Sequence, residues 1–385
     1  MTKAKSFMPA SLAAQAMGWI DPVTKAVVPP IHMASTYERD ADNAYRSGRI
    51  YARADNPTFD QAEATLAALE GGAKALIFSS GMSAATACFL ALAPGDHVVA
   101  PKVMYWSLRN WLGGFARHWG LEVEFVDTDR TDAIAAAVKP GATKLVWLET
   151  PANPTWLVSD IAAAADIAHK AGALLAVDST VATPVLTRPI EHGADIVMHS
   201  ATKYLNGHSD IIAGALVGAR DDEHWGKLRG LRAQLGTILG QTEAWLLMRG
   251  MRTLFPRVHW ACRSAETLAQ KFAAHPMIAE VLYPGLPAFA GHGVAKKQMT
   301  GGFGGMLSVR VKGGERAAVA TAARVELWKR ATSLGGVESL IEHRASIEGP
   351  GTPCPPDLLR LSVGMEDAND LHADLDQALR RAHNA

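Results

Sequence analysis

Residues 174–204 read LLAVDSTVATPVLTRPIEHGADIVMHSATKY. Two short apolar runs stand in this segment. Leu174-Leu175-Ala176-Val177 closes on Asp178, and Asp195-Ile196-Val197-Met198 closes on His199-Ser200-Ala201-Thr202-Lys203-Tyr204. Continuous rather than alternating apolar runs predict strands buried on both faces, as in a parallel sheet covered by helices. Further runs of this kind stand at 75–78, 96–100 and 144–148, separated by Ala-rich helical stretches such as 160–171, where Asp160 suits an N-cap and Gly172 a C-cap. The centre of the chain is therefore α/β.

The flanks differ. The first 55 residues carry Pro29, Pro30, Arg46, Arg49, Tyr51, Arg53 and Asn56-Pro57 with little periodicity, which predicts an arm able to drape over a neighbour. A long helical pattern from Gln241 to His275, interrupted at Pro256, reads as a connector. Beyond it an alternating run at 305–311 predicts a strand and 315–323 a helix, hence a smaller α+β domain. The expected organisation is an arm at 1–58, a large domain at 59–248 and a C-terminal domain at 249–385.

The chain has 385 residues, 38 basic and 38 acidic, with 48% hydrophobic and 20% charged positions. At about 150 residues per domain that length predicts two or three domains with substantial cores. A net charge of zero provides no global field to hold a nucleic acid or an anionic membrane, so anion binding must be local. Cys88, Cys262 and Cys354 are odd in number, far apart and without C-x-x-C spacing; neither a disulfide framework nor a zinc knuckle is expected, and a reducing cytoplasm fits. Lys3 and Lys5 precede a mildly apolar stretch at 7–20, but Pro9, Ser11 and Gln15 interrupt it, so no secretory signal is expected. No run of about 18 apolar residues predicts a membrane span.

The chemistry concentrates where the strands end. A lysine just past a buried strand with two hydroxyls at close spacing, Ser200-Ala201-Thr202-Lys203, suits an amine that forms a Schiff base beside a bound phosphate; a solvated loop lysine is the alternative. Asp178 ends another apolar strand, where a carboxylate needs a cationic partner or exposure. A protonated pyridine nitrogen would be such a partner. Ser79-Ser80-Gly81-Met82-Ser83-Ala84 joins a strand to a helix through small residues, leaving backbone N–H groups free for a phosphate. Tyr105 suits stacking on an aromatic cofactor or a place in the core. His192, His199 and His208 lack the i, i+4 spacing of a helical zinc pair, and no metal is expected. Gly301-Gly302-Phe303-Gly304-Gly305 precedes a strand rather than opening a helix, which makes it a turn or a bulge.

These segments occur in a recognisable order: Tyr51-Ala52-Arg53-Ala54-Asp55-Asn56-Pro57-Thr58, the Ser80-Gly81-Met82 turn, Tyr105, Glu149-Thr150-Pro151-Ala152-Asn153-Pro154, Asp178-Ser179-Thr180, Ser200-Ala201-Thr202-Lys203-Tyr204, Ser333-Leu334-Gly335-Gly336-Val337-Glu338-Ser339-Leu340 and Arg360-Leu361-Ser362-Val363-Gly364-Met365-Glu366-Asp367. Together they resemble the Cys/Met-metabolism family of pyridoxal-phosphate (PLP) enzymes over nearly the whole chain. The resemblance implies PLP fold type I, the aspartate-aminotransferase-like architecture, with a mainly parallel central sheet in the large PLP-binding domain and a smaller α+β C-terminal domain. It implies that Lys203 carries PLP as a Schiff base and that Asp178 pairs with the pyridine nitrogen. Gly81, Met82, Ser200 and Thr202 would hold the phosphate, with Tyr51 and Arg53 reaching it from a neighbouring subunit of a homotetramer. Asn153 would meet the phenolic oxygen, Tyr105 would stack on the ring and share the catalytic role with Lys203, and Arg360 with Ser333 would grip the substrate α-carboxylate.

The shared motifs do not choose among β-elimination, γ-elimination and γ-replacement. Two departures bear on the choice. After Tyr105 many relatives have small residues where this chain has Trp106-Ser107, followed by Trp111, Phe115 and Trp119, and the cysteine that methionine γ-lyases carry near this tyrosine is absent. Before Ser333, where cystathionine γ-type enzymes often carry a glutamate, stands Thr332. Thr332 and the Trp-rich segment are expected to shape a pocket of differing preference. The expectation is a carbon–sulfur lyase of the trans-sulfuration type acting on cystathionine or a related sulfur amino acid and releasing ammonia and a 2-oxo acid. A γ-replacement transferase on O-acylhomoserine is the alternative, and a non-catalytic PLP-binding protein a distant one.

Overall fold

Seven strands make the central sheet of the computed structural model, which describes residues 7–384; Lys3 and Lys5 of the signal-like segment lie outside them. The strands are β1 (Lys74–Phe78), β2 (His97–Pro101), β3 (Glu122–Val126), β4 (Thr143–Glu149), β5 (Leu174–Asp178), β6 (Ile196–His199) and β7 (Gly214–Gly218), in the order β1-β7-β6-β5-β4-β2-β3. Only β7 runs against its neighbours. The sheet is buried on both faces, as the continuous apolar runs predict: Leu76, Phe78, Leu145 and Trp147 pack on one side, Ile77, Val146 and Leu148 on the other.

Local chemistry sets the element ends. Asp160 caps the helix Ile161–Lys170 by accepting from the Ala163 N–H at 3.0 Å, and Gly172 takes the left-handed conformation just beyond it. Ser80 caps the helix Gly81–Leu90 through the Ser83 N–H. The interruption expected at Pro256 falls slightly earlier, between the helices Gln241–Met251 and Leu254–Ala273. Pro256 sits in the first turn of the second helix, where its missing N–H has no intrahelical acceptor to lose. That 20-residue helix is the connector: Leu254, Val258 and Ala261 pack in the core of the large sheet, whereas Ala265, Leu268 and Phe272 pack in that of a second sheet. The second sheet holds β8 (Ile278–Leu282), β9 (Met306–Val311), β10 (Lys329–Arg330), β11 (Leu340–His343) and β12 (Leu358–Ser362) in the order β10-β11-β12-β9-β8. The glycine run at 301–305 forms the turn before β9.

The arm has little regular structure. It is tied down at a few points, including the Trp245 Nε1–H to the Pro29 carbonyl at 2.9 Å and the Arg252 side chain to the Ala14 carbonyl at 3.0 Å. Arg49 pairs with Asp55 and Asp60. Ile20, Val23, Val27, Met33, Ile50 and Tyr51 stay exposed, an apolar surface this subunit does not cover itself. No helix among the described residues is long and apolar enough to cross a membrane.

Strand β7 has no counterpart in the sequence reading, because glycines bound it on both sides. Their reason is steric. A Cβ at Gly214 would stand 2.0 Å from the Ser80 carbonyl oxygen and 2.9 Å from the Gly81 nitrogen, so β7 presses against the turn that opens the helix Gly81–Leu90. Gly214→Ala is expected to lose about 1–3 kcal/mol of stability by over-packing and to weaken cofactor retention by displacing that turn. Gly226→Ala, in open space on the helix Glu223–Leu235, is the control. Thermal melting with and without added PLP checks the pair; equal behaviour would contradict the close approach.

Candidate active site

The carboxyl ends of β4, β5 and β6 deliver Glu149, Asp178 and His199 to one edge of the sheet, where open parallel sheets place their ligands. The loop after β6 then carries Ser200, Thr202 and Lys203 over a cavity of about 240 Å³. Gly81, Met82, Tyr105, Asn153 and Asp178 line the same cavity. Eight of the residues expected from sequence thus meet in one place.

One end of the cavity is built for an anion. Ser80 satisfies the Ser83 N–H, and the Gly81 and Met82 N–H groups, first in the helix, have no intrahelical acceptor. A Cβ at Gly81 would stand 2.8 Å from the Ser200 Cβ and Oγ, so the turn and the Ser200 loop close on each other as a cradle that only glycine leaves open. Thr202 is held there by its hydroxyl, which donates to the Ala213 carbonyl at 3.1 Å and accepts from the Ala213 N–H at 2.9 Å.

The other end is acidic. Asp178 Oδ1 accepts from the Thr180 N–H at 3.0 Å and from the Thr180 hydroxyl at 2.6 Å. Burial pushes its carboxyl above the usual aspartate value in spite of those bonds and of His199 nearby. Glu149, its partner across the β4–β5 register, accepts from the Tyr105 N–H at 2.7 Å and from the Asn153 N–H at 2.9 Å. Burial, with the Asp178 charge second, pushes it up to about 8. Behind them His199 Nε2 meets Glu70 Oε1 at 2.6 Å, both residues fully buried.

Lys203 Nζ donates to Ser333 Oγ at 2.7 Å. Burial, with the Arg360 guanidinium second, lowers this amine to about 8. Ser333 holds a left-handed backbone, φ 102°, unusual for a side-chain-bearing residue, and its carbonyl accepts from Arg360 Nη2 at 2.8 Å. Arg360 also donates from Nη1 to Asn153 Oδ1 at 3.2 Å and from Nη2 to Glu342 Oε2 at 2.6 Å. Burial, then the neighbouring Arg344, lowers Arg360 to about 10, so it stays cationic near neutrality. With its oxygen on Arg360, Asn153 turns its N–H groups to other acceptors.

Thr332, Trp106, Tyr51 and Arg53 stand apart. Thr332 is exposed and its hydroxyl donates to Glu342 Oε1, the acid beneath Arg360. Trp106 starts the helix Trp106–Trp111 with its ring edge-on to Tyr105 at 6.4 Å and does not line the cavity; Trp111 stacks on Phe115 at 5.4 Å. Tyr51 and Arg53 are both exposed, and Arg53 donates to the Ala233 carbonyl at 2.6 Å. Neither lines this subunit's own cavity. Sequence reasoning does not single out Glu149 or Glu342 as site residues. Glu149 carries the same signal as Asp178, an acid closing an apolar run, whereas Glu342 is apparent only once β11 pairs with β12 and brings it opposite Arg360.

The family model described as Cys/Met metabolism PLP-dependent enzyme matches residues 11–380. This chain belongs to that family. It is 45% identical to the cystathionine gamma-synthase of Mycobacterium tuberculosis over 378 residues, covering 96% of each chain. It is 41% identical to the L-methionine gamma-lyase of Porphyromonas gingivalis, covering 98% of this chain and 99% of that one. Its fold matches the crystal structure of metB from Corynebacterium glutamicum with a TM-score of 0.95, 40% identity and coverage of 98% and 99%. The protein is therefore a PLP-dependent enzyme of α/β fold type I, and the cavity fits the group: an anion cradle at Gly81 and Ser200, the buried acid Asp178 and the Lys203 amine all line it.

Two outcomes follow for a Cys/Met-family enzyme built this way. Lys203→Ala should abolish the visible absorbance of lysine-bound PLP; a band that persists unchanged would remove Lys203 from the role. Because only the neutral amine attacks the aldehyde, and Lys203 is lowered to about 8 from 10.5, the loading rate with PLP should rise with pH through a midpoint at about 8 before levelling off. A midpoint near that of a free lysine would contradict the burial.

Proposed function

We propose that this enzyme is a carbon–sulfur lyase of the trans-sulfuration type, cleaving cystathionine or a related sulfur amino acid by β- or γ-elimination and releasing ammonia and a 2-oxo acid. The observation that carries the substrate class is the meeting at Ser333: its hydroxyl holds the Lys203 amine at 2.7 Å and its carbonyl holds the Arg360 guanidinium at 2.8 Å. Amine chemistry and a carboxylate fork on one residue suit an α-amino acid. The similar methionine gamma-lyase supports elimination.

PLP, when bound, supplies an electron sink for the bonds at Cα. The residues of this chain do the rest. Asp178 would keep the ring nitrogen protonated, Tyr105 would cover the ring, and Asn153 would donate to the phenolic oxygen. Gly81, Met82, Ser200 and Thr202 would hold the phosphate, joined by Tyr51 and Arg53 of a neighbouring subunit, so that the working form is at least a dimer of shared sites; the proposed assembly is a homotetramer and the proposed compartment the cytoplasm. Arg360 and Ser333 orient the substrate carboxylate. Lys203, with a proton affinity near neutrality, takes the Cα proton and returns protons farther along the side chain.

A second reading is γ-replacement on an O-acylhomoserine, favoured by the 45% identity to a cystathionine gamma-synthase. Supplying cystathionine, methionine, cysteine and O-acylhomoserines without added thiol separates the two: 2-oxo acid and ammonia from a sulfur amino acid are expected. Turnover of O-acylhomoserine only when a thiol is present would replace the lyase reading by the transferase one. Site sharing has its own test. Arg53→Ala should weaken PLP retention, and mixing that variant with Lys203→Ala should restore part of the activity through one intact hybrid site; no recovery after proven subunit exchange would refute sharing.

A further inference from the structure

We propose that Glu149 is a cofactor-positioning residue, joining the end of β4 to the two loops that carry Tyr105 and Asn153 and setting a second negative charge beside Asp178. The proposal rests on PLP occupying the cavity as described above. Glu149 is the last residue of β4, only 5% exposed, and the Cα partner of Asp178 across the parallel register. Its two oxygens are used separately, one on the Tyr105 N–H at 2.7 Å and the other on the Asn153 N–H at 2.9 Å. Both donors are backbone groups of residues that line the cavity, one in the loop after β2 and the other in the loop after β4. A shift of the carboxylate therefore moves the aromatic cover and the amide together.

The residue type matters. Two N–H groups converging on two oxygens require a carboxylate, because a glutamine would turn its own N–H₂ toward one of the donors. Holding that tie with an acid is costly, since a buried acid beside another acid is unfavourable unless a cation arrives. The groups facing Glu149 do not supply one: Asp178 stands on β5, and Glu348, at the end of the short helix Arg344–Glu348, adds further negative potential. His199 on β6 acts on Asp178, but its Nε2 is engaged by Glu70. The protonated pyridine nitrogen is the cation this pair lacks. Burial and the Asp178 charge hold Glu149 at about 8, the position of an acid whose ionisation waits on such a partner.

The test uses the full chain titrated with PLP, read by visible absorbance and tryptophan fluorescence. Glu149→Gln removes the charge and one tie. Affinity for PLP should fall about tenfold or more, as expected for loss of a charged hydrogen bond, and the pH midpoint of the bound cofactor's visible band should move down, because a nearby negative charge no longer favours the protonated form. Glu149→Asp keeps the charge but is one methylene too short to reach both loops; its band should keep the wild-type midpoint while affinity falls less. Wild-type affinity and spectrum in Glu149→Gln would overturn the proposal. So would a loss of affinity with an unmoved midpoint in both variants, which would mark Glu149 as a structural tie only. Failure of the wild-type chain to bind PLP would instead defeat the cofactor assignment itself.

Discussion

Two acids end neighbouring parallel strands and face each other in a space from which water is largely removed. Taking one carboxylate out of water costs several kcal/mol even after relaxation, and Glu149 and Asp178 are both less than a tenth exposed. Much of the site can be understood as compensation for that pair. Thr180 gives Asp178 two hydrogen bonds, while the loops after β2 and β4 give Glu149 two backbone N–H groups. Among the described residues no salt bridge reaches either acid, and a protonated ring nitrogen is the kind of cation the pair suits. Lys203 is anchored away from that pair by its hydrogen bond to Ser333, in spite of the nearby Arg360 charge that burial and repulsion make costly.

The sheet provides the geometry and the second domain closes it. Glycine at 214 lets β7 approach the Ser80 carbonyl, which fixes the turn at Gly81 against that strand. From the other side β12 brings Arg360, and the strained backbone at Ser333 bends to offer its hydroxyl to the amine and its carbonyl to the guanidinium. Because the helix Leu254–Ala273 packs in both cores, the two halves of the site are held by one rigid element rather than by a loop.

How much of this can be read from sequence depends on range. Asp178 and Lys203 are legible because both follow continuous apolar runs, and a polar residue at the end of a buried strand has few innocent explanations. Glu149 obeys the same rule but sits inside a Pro-rich stretch, Glu149-Thr150-Pro151-Ala152-Asn153-Pro154, that draws attention to its turn residues instead. Strand β7 is hidden because its flanking glycines, required by close approach, imitate a loop. Glu342 and Arg344 belong to a third kind: nothing near them in sequence reveals a role, which arises only from the antiparallel pairing that sets Glu342 opposite Arg360. The arm's Tyr51 and Arg53 are readable as a motif, yet neither lines this subunit's own cavity.

The same pairing shows how a chain of zero net charge can present a guanidinium without a basic surface. Glu342 Oε2 accepts from Arg360 at 2.6 Å and from Arg344 at 2.9 Å, and Arg344 reaches Glu348 at 3.1 Å. Burial alone would lower Arg344, but the two flanking carboxylates raise it. Two guanidinium groups and two carboxylates cancel, so the cluster projects little long-range field and gathers no passing polyanion. Discrimination then falls to geometry: a carboxylate is favoured only where it meets the donors that Asn153, Ser333 and Glu342 leave free on a guanidinium they hold in one plane. Thr332, bonded to the far oxygen of Glu342, belongs to this scaffold. Its hydroxyl therefore reaches Arg360 only through Glu342, so a change at Thr332 acts on the guanidinium by way of that carboxylate.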